Sequence, residues 1–423
     1  MLLASILLIA FSLLLLAVSA STLYVATYAW WDPEARARTT YPAISGEESL
    51  SFSLIMPCRN EREDVMRATL DRLLGQTHRD LEVIVSVGHD DPATVAIAHK
   101  LASEHPDQVR VAIDYSPVKN KPLQLNSALR VAHGDIVGVF DAESIAAPDL
   151  LRNIDNSFRT TGADAVQGAV QLVNYRDTWF SLRNCLEYFI WFSSRLHLHS
   201  KLGFIPLGGN TVFVRRALLE EIGGWDEECL AEDCELGVRM STLNHRIVVA
   251  YSPELVTREE TPDTVRGLVK QRTRWSLGFM QVYAKGLWRN LPTARERFTA
   301  WWTLTQQHLM ALTGIAVPMM IALAIWGKFP LAVTMITFLP LITTLATIAF
   351  EACMLHEFGK DHRFAIRFRD YALLVLSTPA YQLLLAYAAI RAYTRFKSRD
   401  FSWEKTSHTG RHLGYIDAAE VAP

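Results

Sequence analysis

The chain opens on a segment with no polar face. Residues 2–29 carry no charge and begin LLASILLIAFSLLLLAVSASTLYVA, longer than the apolar core of a signal peptide and without a basic start. A membrane-crossing helix needs ~20 such residues, so an uncleaved transmembrane helix is predicted over 1–30. Three further apolar stretches lie near 301–326, 330–355 and 371–392, and between Asp32 and about Arg297 the charge density is that of a water-facing domain.

Inside that domain the hydrophobic period alternates. SFSLIMPCRN reads as a strand running into a loop, and 61–74 places Val65, Met66, Leu70, Leu73 and Leu74 at helical spacing. LEVIVSVG is a second buried strand, stopped by Gly88 and the loop His89-Asp90-Asp91-Pro92. A helix over 93–104, the strand VRVAID, a helix in KPLQLNSALRVAHG and the strand DIVGVFDAES follow. Strand–helix alternation predicts an α/β domain with a largely parallel sheet. Ligands of such sheets lie beyond the carboxyl ends of the strands. Those ends carry Asn60 and Glu61, then Asp90 and Asp91, then Asp141 and Glu143.

Composition narrows this picture. The 423 residues are 50% hydrophobic with a net charge of -2, which argues against a dedicated nucleic-acid binder. Five scattered cysteines give no disulfide framework, and Cys229 with Cys234 lacks the second pair of a zinc site. Reduced thiols in a cytoplasmic domain are expected.

The polar clusters suggest chemistry, each against a plain structural alternative. Arg59-Asn60-Glu61 suits a helix start and Asp90-Asp91-Pro92 a turn. Asp141 and Glu143, two residues apart where a strand ends, can reach one hard divalent cation or form an exposed acidic loop. Glu232 and Asp233 begin a helical pattern, where an acid either offsets the helix dipole or, as Asp233, serves as a general base. The pentapeptide Gln271-Arg272-Thr273-Arg274-Trp275 joins a guanidinium that suits pyrophosphate oxygens to an indole that suits a sugar's C–H face. An ordinary interfacial helix also uses Arg and Trp.

Taken in order, "DAE" at 141–143, "AED" at 231–233 and "QRTRW" at 271–275 resemble the signature of the inverting, membrane-integrated glycosyltransferases of family two, the cellulose, hyaluronan and chitin-oligosaccharide synthase group. PCRNE, NKPLQLN and PLGGNTVFVRR look like that family's nucleotide and acceptor loops. The resemblance covers roughly 51–283 and implies a GT-A nucleotide-sugar fold inserted between transmembrane helices. It implies that Pro57, Arg59, Asn60, Glu61, Asp90 or Asp91, Lys121, Asp141 and Arg274 meet a UDP-sugar donor. Asp141 and Glu143 would hold Mg2+ or Mn2+, and Asp233 would deprotonate the acceptor hydroxyl. Glu232, Gln271 and Trp275 would face a glycan acceptor. Glu143 departs from the family's usual Asp. The implied activity is β-linked polymer synthesis, processive and coupled to export through the bilayer with partners unknown. Transfer of a single sugar to a lipid or short acceptor is the alternative, and an inactive membrane scaffold the second.

The expected organisation is a transmembrane helix over 1–30, a cytoplasmic catalytic domain over 50–260, interface helices over 261–300, membrane or interfacial helices over 301–393 and a basic tail over 394–423. Residues 177–204 are too polar to span and suit an amphipathic interface helix or a buried one. Lys360, Arg363, Arg367 and Arg369 mark the loop before the last apolar stretch as cytoplasmic. A full crossing by that stretch would put the basic tail outside, so Pro379 is expected to break it into an interfacial or re-entrant segment. By analogy with the gating loop of cellulose synthase relatives, Trp403, Lys405, Thr406 and His408 would close over the diphosphate. A disordered tail on anionic lipid is the alternative.

Overall fold

The computed structural model describes residues 2–327, 329–406 and 409–421. His408 lies outside the described residues. Its sheet has seven strands: β1 Phe52–Cys58, β2 Leu81–Gly88, β3 Val109–Asp114, β4 Ile136–Val139, β5 Ala165–Gln167, β7 Val212–Arg215 and β8 Ile247–Val249. The strands β6 Val170–Leu172 and β9 Thr257–Glu259 pair separately, in parallel.

The sheet order is β3-β2-β1-β4-β7-β5-β8. Every pair is parallel except those of β7, which runs against both β4 and β5. The chain builds outward from β1 to β3, then returns to place β4 on the other side of β1. The direction of winding therefore reverses between β1 and β4, and such a switch point opens a crevice at the strands' carboxyl ends. Cys58 and Val139 end the two strands there.

Period-two alternation packs both faces. Phe52, Leu54, Met56 and Val83, Val85, Val87 enter one apolar core beneath the helices Glu63–Leu74 and Leu150–Thr161. Ile55, Ile84, Val137 and Val139 enter the other, with residues of Lys121–Leu129 and Glu232–Thr242. At about 25 cal/mol per Å² of apolar surface, two-sided burial of this kind is the main force fixing the register that aligns the strand ends.

Among the described residues, four helices are long and apolar enough to cross a membrane: Leu2–Trp31, Ala294–Trp326, Leu331–Asp361 and Phe368–Lys397. The last corrects the expected break, because it runs unbroken through Pro379 and extends past residue 393. Proline removes one backbone bond, but this helix is held along its whole length. Asp370 pairs with Arg176 at 2.7 Å, the Leu374 carbonyl accepts from Arg183 at 3.3 Å, and the Tyr381 hydroxyl donates to Glu187 at 3.0 Å. Farther on, Thr273 donates to the Ala388 carbonyl at 3.4 Å, and Ala392 packs on Leu230, Leu277 and Met280. The helix is thus strapped to the α/β unit, mainly along the Val265–Lys285 helix.

Residues 177–204 form the helix Ser181–Ile190, a π-helical turn Trp191–Arg195 and the helix Leu196–Leu202. Most of their side chains are buried. They pack between the domain, the N-terminal helix and Leu331–Asp361: Ser194 accepts the Ala29 N–H at 3.1 Å, and Arg183 pairs with Glu351 at 3.0 Å.

Candidate active site

The loops after β1 and β2 meet at one edge of the crevice. Arg59 forks onto Asp90 with bonds of 3.0 and 2.5 Å, and Lys119 also pairs with Asp90. The two cations hold the Asp90 carboxyl well below its usual range, Arg59 foremost. Asp91 is buried instead. It caps the helix Pro92–Glu104 through the Thr94 N–H at 3.3 Å and accepts the Asn60 N–H at 2.5 Å. Asn60 sits at φ 47°, in the left-handed region, which its short amide tolerates. Asp91 therefore shapes the β1 loop, while Asp90, tied to two cations, is the more exposed of the pair. Pro57 lies within β1, and Glu61 pairs with Lys405.

Beyond β4, carboxylate oxygens of Asp141, Glu143 and Glu259 all lie within 4.8 Å of one another. Glu143 and Glu259 are buried, and burial, then the nearby acids, raises both; Glu143 is pushed up to about 7. Glu259 also accepts from Ser144 at 2.8 Å and from the Asn210 amide. Three converging carboxyls are an unfavourable cluster unless protons or a cation share their charge. An all-oxygen set of this kind fits Mg2+ or Mn2+.

Lys121 joins this centre to the next. It pairs with Asp141, donates to the Gly209 carbonyl at 2.8 Å, and stays charged because its acidic neighbours outweigh burial. A Cβ on Gly209 would stand 3.0 Å from Asp233 Oδ2 and 3.2 Å from Lys121 Nζ. Only glycine leaves that space. Asp233 sits in the first turn of Glu232–Thr242 and accepts the Cys234 N–H at 2.7 Å. Burial raises Asp233, and burial with the adjacent Asp233 raises Glu232 to about 7. The side-by-side carboxyls titrate as a pair, under the opposing field of Lys121 and Arg274.

The pentapeptide lies within the helix Val265–Lys285 and divides its labour by face. Gln271 Oε1 and Arg274 Nε are buried without hydrogen-bond partners among the described residues, and the Arg274 charge is felt at Glu232, Asp233 and Tyr188. Arg272 faces the other way. It bonds Asn184 at 2.5 Å, Glu187 and, at 3.2 Å, the Tyr381 hydroxyl, and its guanidinium lies 4.7 Å above the Trp275 ring. Tyr188 stands 6.1 Å from that ring, and its own phenol feels Glu259, Asp141, Arg272 and Arg274. Tyr188 thus links the indole to the acidic centre, a role no sequence motif announced.

The tail reaches the same place. Lys405 pairs with Glu61 and donates to the Arg59 carbonyl and, at 3.2 Å, to that of Asn60. Thr406 is buried, and Trp403 packs near Leu277 and Met280. Downstream, Glu260 accepts the backbone N–H groups of Thr409 at 2.5 Å, Gly410 at 3.1 Å and Arg411 at 2.8 Å. His412 lies 3.3 Å from Glu260 through Nδ1 and 2.8 Å from the Glu143 carbonyl through Nε2.

Residues 50–278 match the family model described as glycosyltransferase like family 2. Among curated proteins, a probable glycosyltransferase, YdaM of Bacillus subtilis (strain 168), is 30% identical over 59% of this chain and 60% of its own length. That match spans less than two thirds of the relative. Beta-monoglucosyldiacylglycerol synthase of Nostoc sp. (strain PCC 7120 / SAG 25.82 / UTEX 2576) is 26% identical over 89% of this chain and 80% of its own. Among solved structures, mannosyltransferase PcManGT from Pyrobaculum calidifontis, in complex with GDP-Man and Mn2+, aligns with TM-score 0.57 and 20% identity over 93% of this chain and 99% of that one. This last likeness speaks for a shared GT-A fold. With the family model covering more than half of its length, the chain belongs to glycosyltransferase-like family 2.

Proposed function

We propose that the protein is a membrane-bound inverting glycosyltransferase that moves a sugar from a UDP-sugar to a hydroxyl presented at the membrane surface. The observation that carries this reading is the continuity of Asp141, Lys121, Gly209 and Asp233, with Arg274 in the same field. A diphosphate binder and a buried base thereby face one space. The acceptor oxygen bonds to the sugar's C1 as the C1–O bond to the diphosphate breaks. The hydroxyl proton goes to Asp233, and the electron pair leaves on the diphosphate, stabilised by Lys121 and Arg274. A single displacement inverts the anomeric centre. Asp141, Glu143 and Glu259 would hold Mg2+ or Mn2+, which when bound neutralises charge on the diphosphate. Arg59 and Asp90 border the nucleotide, and Gln271 and Trp275 border the acceptor.

The placement of the last helix supports a topology. Both its ends and the tail contact the α/β unit, which supports reading it as held on the domain's side of the membrane with Leu376, Leu383 and Tyr387 outward. In this reading the crossings fall to Leu2–Trp31, Ala294–Trp326 and Leu331–Asp361, so domain and tail share one side, taken as cytoplasmic from the basic loop of Lys360, Arg363, Arg367 and Arg369. The likeness to beta-monoglucosyldiacylglycerol synthase over 89% of this chain favours transfer of one sugar to a lipid-borne or short acceptor. The indole platform braced by Arg272 favours a second reading, a processive synthase.

Purified protein incubated with a panel of UDP-sugars and membrane lipids should yield a lipid heavier by one hexose or N-acetylhexosamine. A ladder of masses would replace this reading with the polymer one. The paired carboxyls also predict a pH effect. Asp233 must be ionised to act, and its carboxyl is raised, so turnover should climb with pH through an acid limb above the usual aspartate range. Lys121 holds the Asp233 carboxyl down against burial, so in Lys121→Met the limb should move to higher pH. An unmoved limb would sever Asp233 from the chemistry.

A further inference from the structure

The π-helical turn Trp191–Arg195 ends in an arginine that the proposed transfer does not use. π-turns insert one extra residue into a helix and gather at functional sites. Around this one lie three arginines and two carboxylates. Arg183 is taken by Glu351 at 3.0 Å, and Arg272 by Glu187. Arg195 has no ion pair and no hydrogen bond from its side chain among the described residues, and its Nε is enclosed without an acceptor. The cluster therefore carries one uncompensated positive charge.

The surroundings say from which side a counter-charge would come. Ser194, the residue before Arg195, touches the N-terminal helix at Ala29. Glu351 stands on the helix Leu339–Asp361, and Tyr381, bonded to Glu187, on Phe368–Lys397. The cluster thus sits where three apolar helices meet the α/β unit, the level of lipid headgroups in the proposed topology. Its donors still lacking acceptors are the Nε atoms of Arg195, Arg183 and Arg272, and Asn184 Nδ2. A guanidinium fork and an amide N–H match the oxygens of a phosphate.

We infer that Arg195 seats the phosphate of a membrane lipid at the junction of the N-terminal helix, Leu339–Asp361 and the π-turn. The site rests on the membrane placement proposed above, and its ligand is a phosphate-bearing lipid rather than free phosphate. Arg195 is half-buried, and a cation partly withdrawn from water without a partner is costly. Burial accordingly pulls the Arg195 guanidinium below its ordinary range, with Glu187 and Glu351 only partly offsetting it.

The test uses full-length protein in nanodiscs and native mass spectrometry, with phosphatidylglycerol as probe and a neutral diglycosyl-diacylglycerol as the phosphate-free control. Wild type should retain phosphatidylglycerol over the control. Arg195→Gln should lose at least tenfold in that retention, and Arg195→Lys should recover part of it. In a phosphate-free detergent Arg195→Gln should melt no lower than wild type, because it removes an unpaired charge. Equal retention by wild type and Arg195→Gln, or equal retention of both lipids by wild type, overturns the inference. Displacement of the lipid by inorganic phosphate, or a lower melting temperature for Arg195→Gln without lipid, also overturns it, the first making this a free-anion site and the second a structural arginine. None of these readouts involves the sugar donor, so an inactive preparation would count against the transferase reading alone.

Discussion

Asp233→Asn is expected to lower turnover by roughly 10²- to 10⁴-fold, the usual worth of a positioned general base, while UDP-sugar binding stays close to wild type. The asparagine can still accept the Cys234 N–H at 2.7 Å and keeps the volume that Gly209 makes room for. What it loses is the capacity to take a proton. In the proposed reaction donor affinity would depend on Asp141, Lys121 and the loop around Arg59, none of which bonds Asp233 directly. Isothermal titration with UDP and a steady-state rate on the same preparation separate the two quantities. Asp91→Ala is the useful contrast: Asp91 caps a helix and fixes the Asn60 loop, so its replacement should cost about 1 kcal/mol of stability and act on donor binding rather than turnover. Comparable turnover in Asp233→Asn and wild type would remove the base from the mechanism and reopen the scaffold reading.

The parts of this site that the sequence made legible are those tied to strand ends and to unbroken strings. β1 to β4 are long or apolar enough to read from periodicity, and once their order was clear, Asp90, Asp141 and Glu143 fell at one edge of the sheet. Glu259 was missed because β9 has only three residues, Thr257–Glu259, too few to show a period. Its partner Asn210 comes from the loop before β7, the one strand running against its neighbours in the sheet. Tyr188 hid in a segment whose mix of aromatic and charged residues reads equally as interfacial or buried. The last helix shows a different limit. Hydropathy and Pro379 are its local determinants, whereas Arg176, Arg183 and Thr273, remote in sequence, hold it against the domain.

Breaking the clasp between Glu260 and the tail is expected to lower kcat/KM for the UDP-sugar by roughly 10- to 100-fold, the loss of about 1.4 to 2.8 kcal/mol at 1.36 kcal/mol per decade. Glu260 is buried and receives three backbone N–H groups in addition to its contact with His412. Glutamine in its place offers one carbonyl oxygen and no charge, and charge-assisted bonds are about twice as strong as neutral ones. The clasp matters to the donor site at two points. His412 reaches the carbonyl of Glu143, and Lys405, a few residues upstream, braces the Arg59–Asn60 turn and Glu61. On the other side of Lys405 the strap is anchored again, since Glu404 pairs with Arg391 at 2.7 Å and Arg395 at 2.6 Å. The gating analogy predicts that a tail tied at both ends stays over the diphosphate and that releasing the Glu260 end frees it. Glu260→Gln should therefore raise KM for the donor, speed UDP release and expose the chain after Arg399 to trypsin. Lys405→Met should reproduce the kinetic effect without the new cleavage, because it leaves the clasp intact. If Glu260→Gln became trypsin-sensitive at Arg399 yet kept wild-type donor kinetics, the tail would be a terminal anchor with no part in holding the nucleotide.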